Sequence, residues 1–401
     1  MKPIFVIGSG MAGVSLIREL RKLDTSTPII LVTADDGGFY SKPMLSNAFA
    51  QNKLPAQLKT QTATQLAEQL AITILHQTQL QKIESDRHVI HTSMGEFEYH
   101  ALVLAVGAQA IRLPIQGSGA NQIMSVNHLD DYAKFRDRLE QISQSVTNPT
   151  IAILGAGLIG CEFADDLNQA GFEVHLFDPN PSPLAALLPP TVSLRLQQQL
   201  EAKGIHFHLN DSVTSVEDQG DNLKLTTKDG GEFEVHLVLS AVGLIPNKAI
   251  AQQCHPTPLH TDRGIVVDAN GMTSAPDIYA LGDCAQYTVD TDGNSSVLPY
   301  IAPILAAARA IAKSLADSST QKAHRIELGP MPVIIKTPSC PIAVLPPSPQ
   351  VRAKGKWLDE HLADDTLISR FVLDDGRLAG FALTPNNAKI RNELLALMNA
   401  R

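Results

Sequence analysis

Two glycine-rich turns constrain this chain more than any other feature. The first follows the apolar run Ile4-Phe5-Val6-Ile7 and reads Gly8-Ser9-Gly10-Met11-Ala12-Gly13, with an amphipathic stretch after it over residues 14–23. The second follows residues 151–154 and reads Gly155-Ala156-Gly157-Leu158-Ile159-Gly160, with a helical pattern to Ala170 and Gly171 as its stop. One such motif is a weak signal. Two in the same register, each leaving a strand and opening a helix, specify a duplicated strand–turn–helix unit. Glycines let the backbone turn sharply and approach a pyrophosphate, while the free N–H groups at the helix start attract its charge.

The duplication continues past the turns. A further apolar strand follows in each half, over residues 29–32 and 173–177, and each half then alternates around a turn, at Gly95 and at Asp229-Gly230-Gly231. Each half next carries a buried-strand pattern, Leu102-Val103-Leu104-Ala105-Val106-Gly107 and Leu237-Val238-Leu239-Ser240-Ala241-Val242-Gly243. The expected class is α/β, with two tandem Rossmann-like dinucleotide-binding domains. Beyond residue 320 the texture changes: seven prolines fall within 329–349, strands flank Asp374-Asp375-Gly376-Arg377, and a short helix ends the chain. This segment reads as a small α+β C-terminal domain.

Composition narrows the function classes. The 401 residues are 44% hydrophobic and 18% charged, which fits a globular chain and not a disordered one. With 32 basic and 41 acidic residues the net charge is −9, so nucleic acid is not an expected partner. Residues 325–401 are nevertheless net positive, at +2. Cys161, Cys254, Cys284 and Cys340 are scattered and form no CxxC pair, which excludes a zinc ribbon or a near-neighbour dithiol and suits a reducing compartment. The first apolar run stops at Gly8, too short for a signal peptide, and no run of about 18 apolar residues exists to span a membrane. A cytoplasmic protein is expected. The 13 histidines show no metal-like spacing along the chain, so no metal is expected.

The end of each second strand reports on the nucleotide. Asp178 follows Gly160 by eighteen residues, where a carboxylate bonds the adenosine ribose hydroxyls and repels a 2′-phosphate. No Arg or Lys lies between 172 and 194 to offset it, so NADH is favoured over NADPH. In the first half that place holds Thr33 and Ala34, with Asp35 and Asp36 just beyond; hydroxyl and backbone contacts there could serve the ribose or adenine. One tightly held FAD and one exchanging NADH is the economical pairing. Gly8, Gly10, Met11, Ala12 and Gly13 would then hold FAD, and Gly155, Gly157 and Gly160 would hold NADH.

At this point the sequence resembles the two-dinucleotide-binding-domain flavoproteins related to the pyridine nucleotide–disulfide oxidoreductases. Residues 102–107 resemble that family's crossover motif, and Ile278-Tyr279-Ala280-Leu281-Gly282-Asp283 resembles its second flavin motif. The resemblance implies that Asp283 bonds the ribityl chain of FAD. It also implies a discontinuous FAD domain, 1–112 with 244–322, an inserted NAD domain, 113–243, and a C-terminal domain, 323–401. Further matches lie at Ala34-Asp35-Asp36, Tyr40-Ser41-Lys42-Pro43-Met44-Leu45-Ser46, Leu158-Ile159-Gly160-Cys161-Glu162-Phe163-Ala164 and Lys336-Thr337-Pro338. These resemble the branch that passes electrons from NADH to the small iron protein rubredoxin, with ferredoxin and flavorubredoxin reductases close to it. The resemblance suggests alkane hydroxylation as the pathway served, with oxygen or radical detoxification fitting equally.

The resemblance further implies that Lys42 lies near the flavin N5 with Glu162 beside it at the nicotinamide, against the alternative of two separate surface charges. Lys336 would reach the flavin or the acceptor surface. A helix following Pro303 would point its N–H groups at the flavin, with Ile301 just before it giving a backbone contact, and Leu80 would give a backbone contact to adenine. No cysteine precedes Cys161, so no thiol stands where disulfide-reducing and peroxide-reducing members carry one, and electrons must leave for an outside acceptor. Cys161 itself, in a helix's first turn, reads as a packing residue. Lys336, Arg352, Lys354 and Lys356 form the expected docking surface for an acidic carrier, and a monomer is expected. The rival of a different class is an NADH-sensing flavoprotein, which slow flavin bleaching and a long-lived charge-transfer complex would mark.

Overall fold

The computed structural model describes residues 2–288, 295–317 and 323–399. The chain forms two compact units: Met1–Lys42 with Ala56–Gln109 and Leu244–Gly329, and Pro43–Pro55 with Ala110–Gly243 and Pro330–Arg401. The short segment Pro43–Pro55 thus belongs to the second unit, although it lies inside the sequence span of the first. The boundary expected at residue 322 falls in 318–322, outside the described residues.

The first unit is built on a parallel sheet in the order Ile278–Ala280, Ala101–Leu104, Ile4–Ile7, Ile29–Val32, Thr73–Leu75. Ile4–Ile7 and Ala101–Leu104 are buried along their whole length, as strands covered on both faces must be. Helices Met11–Arg21 and Ile301–Ala316 pack against each other over this sheet. A smaller layer pairs Leu80–Glu84, Val89–Thr92 and Gly95–Glu98 antiparallel, with Cys254–His255 joining Leu80–Glu84 in parallel.

Two helix starts differ from the sequence reading. The first helix opens at Met11, three residues early, because Gly10 takes the extended N-cap conformation and the third glycine sits inside the first turn. Ile301 opens the later helix instead of preceding it, with Pro303 inside the first turn. Proline is tolerated there because the N–H it lacks has no intrahelical partner in any case.

The second unit repeats the plan. Its parallel sheet runs Ile205–Leu209, Glu173–Asp178, Thr150–Leu154, Leu237–Ser240, and its antiparallel layer Val213–Asp218, Leu223–Thr227, Glu232–Val235. Helix Leu158–Gln169 follows the second glycine turn and stops where Gly171 takes a φ of +94°.

The C-terminal part of this unit is a five-stranded antiparallel sheet in the order Val333–Ile335, Ile342–Leu345, Leu378–Thr384, Leu367–Leu373, Gly355–His361. The hairpin expected around Gly376 joins Leu367–Leu373 to Leu378–Thr384. Helix Ala388–Asn399 starts beside Asn387, whose Oδ1 accepts from the N–H of Lys389 and Ile390, and lays Leu394 on the sheet beside Phe381 and Leu383. Among the described residues no helix is long and apolar enough to cross a membrane.

Phe381 is fully buried at the centre of this layer. Phe381→Ala should cost about 3–5 kcal/mol locally through the cavity it leaves. Hydrogen exchange should then accelerate in residues 367–373 and 378–384 while the strands of the first unit keep their protection.

Candidate functional site

The two glycine turns have the same internal geometry. Gly8 has a φ of +117° and Gly155 one of +104°; a Cβ on either would press on a carbonyl oxygen, that of Ala105 or Ala241. A Cβ on Gly13 would collide with the Gly8 carbonyl oxygen, and one on Gly160 with that of Gly155. Packing alone therefore requires the first and third glycine of each motif. The middle ones differ: a Cβ on Gly10 or Gly157 would have nothing within 4 Å. Each middle glycine is the N-cap of its helix and has no side chain to cap it. The space a side chain would take stays open in front of the first-turn N–H groups, which is the cradle a pyrophosphate needs.

Around the first cradle the unit gathers most of the expected FAD contacts. A Cβ on Gly282 would stand 2.7 Å from the Ala12 side chain, so the residue before Asp283 packs against the start of the first helix. Asp283 is half-buried with the Lys42 ammonium 4.0 Å away; burial raises its carboxyl and Lys42 lowers it. Thr33 is buried and Ala34 exposed. Asp35, which sequence reasoning left as a displaced acid, turns back: its carboxylate accepts from Ser9 Oγ at 3.0 and 3.1 Å, Thr33 Oγ1 at 2.7 Å and the Gly37 N–H at 2.9 Å. An acid is thereby restored beside the glycine turn by a bend in the loop. Leu80 opens its strand half-buried, and Ile301 is 45% exposed at its helix start.

In the second unit Asp178 ends its strand buried, with Oδ2 accepting from the Ala156 N–H at 2.6 Å and Oδ1 from the Asn180 N–H at 2.8 Å. The carboxylate is thus pinned against the glycine turn. The next arginine along the chain, Arg195, is ion-paired to Asp365.

Glu162 is fully buried, and the cation it meets is Lys336, with Nζ 3.2 Å from Oε2. The Lys336 N–H donates to Oε1 at 3.0 Å and Ser46 Oγ to Oε2. Lys336 Nζ also donates to the Pro43 carbonyl and to Asn47 Oδ1, while Asn47 Nδ2 donates to the Lys336 carbonyl at 2.8 Å. A buried carboxylate is tolerable only when paired and hydrogen-bonded in this way. Two further acids on the same helix repeat the device. Asp165 accepts from the Ser339 N–H and hydroxyl, and Asp166 from the N–H groups of Phe49 and Ala50. Ser46, Asn47, Asp165, Asp166 and Ser339 went unassigned in the sequence, since their partners lie more than 100 residues away.

All four cysteines are free and buried, and burial raises each of them above its ordinary value. Cys161 donates to the Ala156 carbonyl at 3.4 Å, a packing role despite its place in the first turn.

The pyridine nucleotide-disulphide oxidoreductase family matches residues 2–304. The chain belongs to this family. It is an NADH-dependent flavoprotein oxidoreductase whose cofactors are FAD and NADH. A second family, described as a rubredoxin binding C-terminal domain, matches residues 325–398. Rubredoxin-NAD(+) reductase of Alcanivorax borkumensis is 39% identical over 99% of this chain and 100% of its own length. Nitric oxide reductase FlRd-NAD(+) reductase of Vibrio vulnificus is 36% identical over 95% of this chain and 94% of its own. The covalent putidaredoxin reductase–putidaredoxin complex has the same fold, with a TM-score of 0.87 at 23% identity over 99% of this chain and 93% of that one.

The glycine geometry separates folding from binding. Gly157→Ala should leave the melting temperature nearly unchanged while weakening NADH binding, read by titration; Gly160→Ala should cost about 1–3 kcal/mol of stability by overpacking. Equal melting temperatures in the two variants would contradict this assignment.

Asp166 gives a pH dependence. Burial pushes its carboxyl up to about 6, against the pull of the Phe49 and Ala50 N–H groups. Between the unfolded value near 4 and about 6 the folded chain binds the extra proton, so this group's contribution to stability falls as pH rises through that window. Asp166→Asn should flatten the pH dependence of unfolding there by roughly 2–3 kcal/mol, while one lost N–H contact lowers stability at every pH.

Proposed function

We propose that the chain carries electrons from NADH through a resident FAD to rubredoxin, working as a monomer in the cytoplasm. The reading is carried by the twin cradles, each with a middle glycine that packing does not require, together with a C-terminal layer matching a rubredoxin-binding family over residues 325–398. The near-full-length likeness to rubredoxin-NAD(+) reductase supports the same acceptor. Alkane hydroxylation as the downstream use rests on the sequence resemblance alone.

Bound FAD supplies chemistry that no side chain can, taking two electrons together and releasing them singly. The protein's share is holding and tuning. Gly8, Gly10, Met11, Ala12 and Gly13 present N–H groups to the FAD pyrophosphate; Thr33, Ala34 and Leu80 face its adenosine end; Asp283 bonds the ribityl chain with Lys42 beside it. The helix opening at Ile301 turns its N-terminus, the positive end of its dipole, toward the flavin's electron-rich edge. Gly155, Gly157 and Gly160 hold the NADH pyrophosphate, and Asp178 bonds its ribose and repels a 2′-phosphate. Glu162 orients the nicotinamide, its charge fixed by Lys336, which supports it from the C-terminal layer.

Because Lys336 is committed to Glu162, Asn47 and Pro43, docking of an acidic carrier falls to the exposed Arg352, Lys354 and Lys356. A second reading, reduction of flavorubredoxin, is favoured by the likeness to the Vibrio vulnificus FlRd reductase. Single-turnover reduction of the two purified carriers ranks these two acceptors.

With NADH the flavin should bleach rapidly and added rubredoxin should be reduced at many turnovers. NADPH should run at least about tenfold slower, the effect of a 1.4 kcal/mol penalty. Slow bleaching with no turnover would favour the sensing alternative. Reversing both Lys354 and Lys356 to glutamate should lower the low-salt rate about tenfold or more, with the difference fading at high salt; an unchanged rate would put the docking surface elsewhere.

A further inference from the structure

The outer two strands of the second unit's parallel sheet bring together residues that neither glycine motif uses. Parallel pairing sets His175 opposite His206 and Phe177 opposite His208, and the two-residue period puts Glu173 on the same face as His175. Glu173 Oε1 lies 3.2 Å from His175 Nε2 and 4.0 Å from His206 Nε2, and one ligand atom from each of the three falls within 4.8 Å of the others. The Glu173 and His206 side chains are about half exposed, at 46% and 54%, while that of His175 is only 16% exposed.

We propose that Glu173, His175 and His206 form a binding site for a divalent transition-metal ion on the edge of this sheet. Two imidazoles and a carboxylate are the donors that zinc and its neighbours take, with a fourth position left for water. Bonds of about 2.0–2.1 Å in a tetrahedron place neighbouring donors about 3.3 Å apart, so the Glu173–His175 pair already has the spacing. The exposed His206 ring closes the remaining gap by side-chain rotation.

The surroundings favour a preset ligand. His175 Nδ1 is 2.9 Å from His208 Nε2, so with Nδ1 carrying the proton His208 fixes the tautomer that leaves His175 Nε2 free for the ion. His208 is itself wedged, stacked 4.5 Å from the Phe177 ring and edge-on to Phe233 at 4.6 Å. Thr150 Oγ1 stands 3.4 Å from Glu173 Oε2, on the oxygen the histidines do not face. Asp178 lies five residues further along the strand, about 16–17 Å away at the usual rise, so the ion sits apart from the nucleotide end. Its role is to tie the edge strand Ile205–Leu209 to its neighbour.

The test is calorimetric titration of chelator-treated, FAD-loaded enzyme with zinc chloride. Wild type should bind one zinc per chain, and its melting temperature should rise logarithmically with free zinc above the dissociation constant. The double variant Glu173→Gln, His206→Gln, both surface changes, should lose at least about 100-fold in affinity while still bleaching normally with NADH. His208→Phe, which keeps the stack but removes the acceptor, should lose about 10–100-fold. Absence of stoichiometric binding by wild type, or equal affinity in the double variant, overturns the site; an unchanged His208→Phe overturns the orienting role.

Discussion

Main chain pressed against main chain is the constraint on which the rest of this structure depends. At Gly13 over the Gly8 carbonyl, and again at Gly160 over that of Gly155, the helix enters so close to the preceding turn that no side chain fits. That approach aims the first-turn N–H groups past the end of the sheet, and the open face of the middle glycine leaves room for a charged ligand. Both proposed cofactor sites follow from it. The same contact recurs in both halves of the duplicated fold: Ala105 and Ala241, the residues just after strands Ala101–Leu104 and Leu237–Ser240, supply the carbonyls against which Gly8 and Gly155 lean.

A second theme is the handling of buried acids on helix Leu158–Gln169. Glu162, Asp165 and Asp166 are buried side by side, which would be ruinous if they were left alone. Each is answered from a segment remote in sequence: Glu162 by Ser46 and Lys336, Asp165 by Ser339, Asp166 by Phe49 and Ala50. These bonds recruit Pro43–Pro55 and the C-terminal layer into the second unit. They also commit Lys336, a lysine of the matched rubredoxin-binding segment, to Glu162, Asn47 and Pro43.

The sequence was most legible where backbone geometry is encoded locally. The twin glycine turns, the strands at 4–7 and 151–154, the helix stop at Gly171 and the hairpin at Gly376 all depend on neighbours within a few residues. What escaped it depends on pairing across the chain. The histidines lack metal-like spacing along the sequence, yet strand pairing puts His175 beside His206. Asp35 reads as displaced until the loop returns its carboxylate to Ser9 and Thr33. The helix starts at Met11 and Ile301 are illegible in the sequence because a glycine cap and a first-turn proline both look like breaks in a periodic pattern.

The most direct test of the account is an anaerobic spectral titration of the purified protein. A yellow chain with one FAD per polypeptide, bleached to completion by one equivalent of NADH, is the predicted result. A folded protein that is colourless and takes up no added FAD would contradict it.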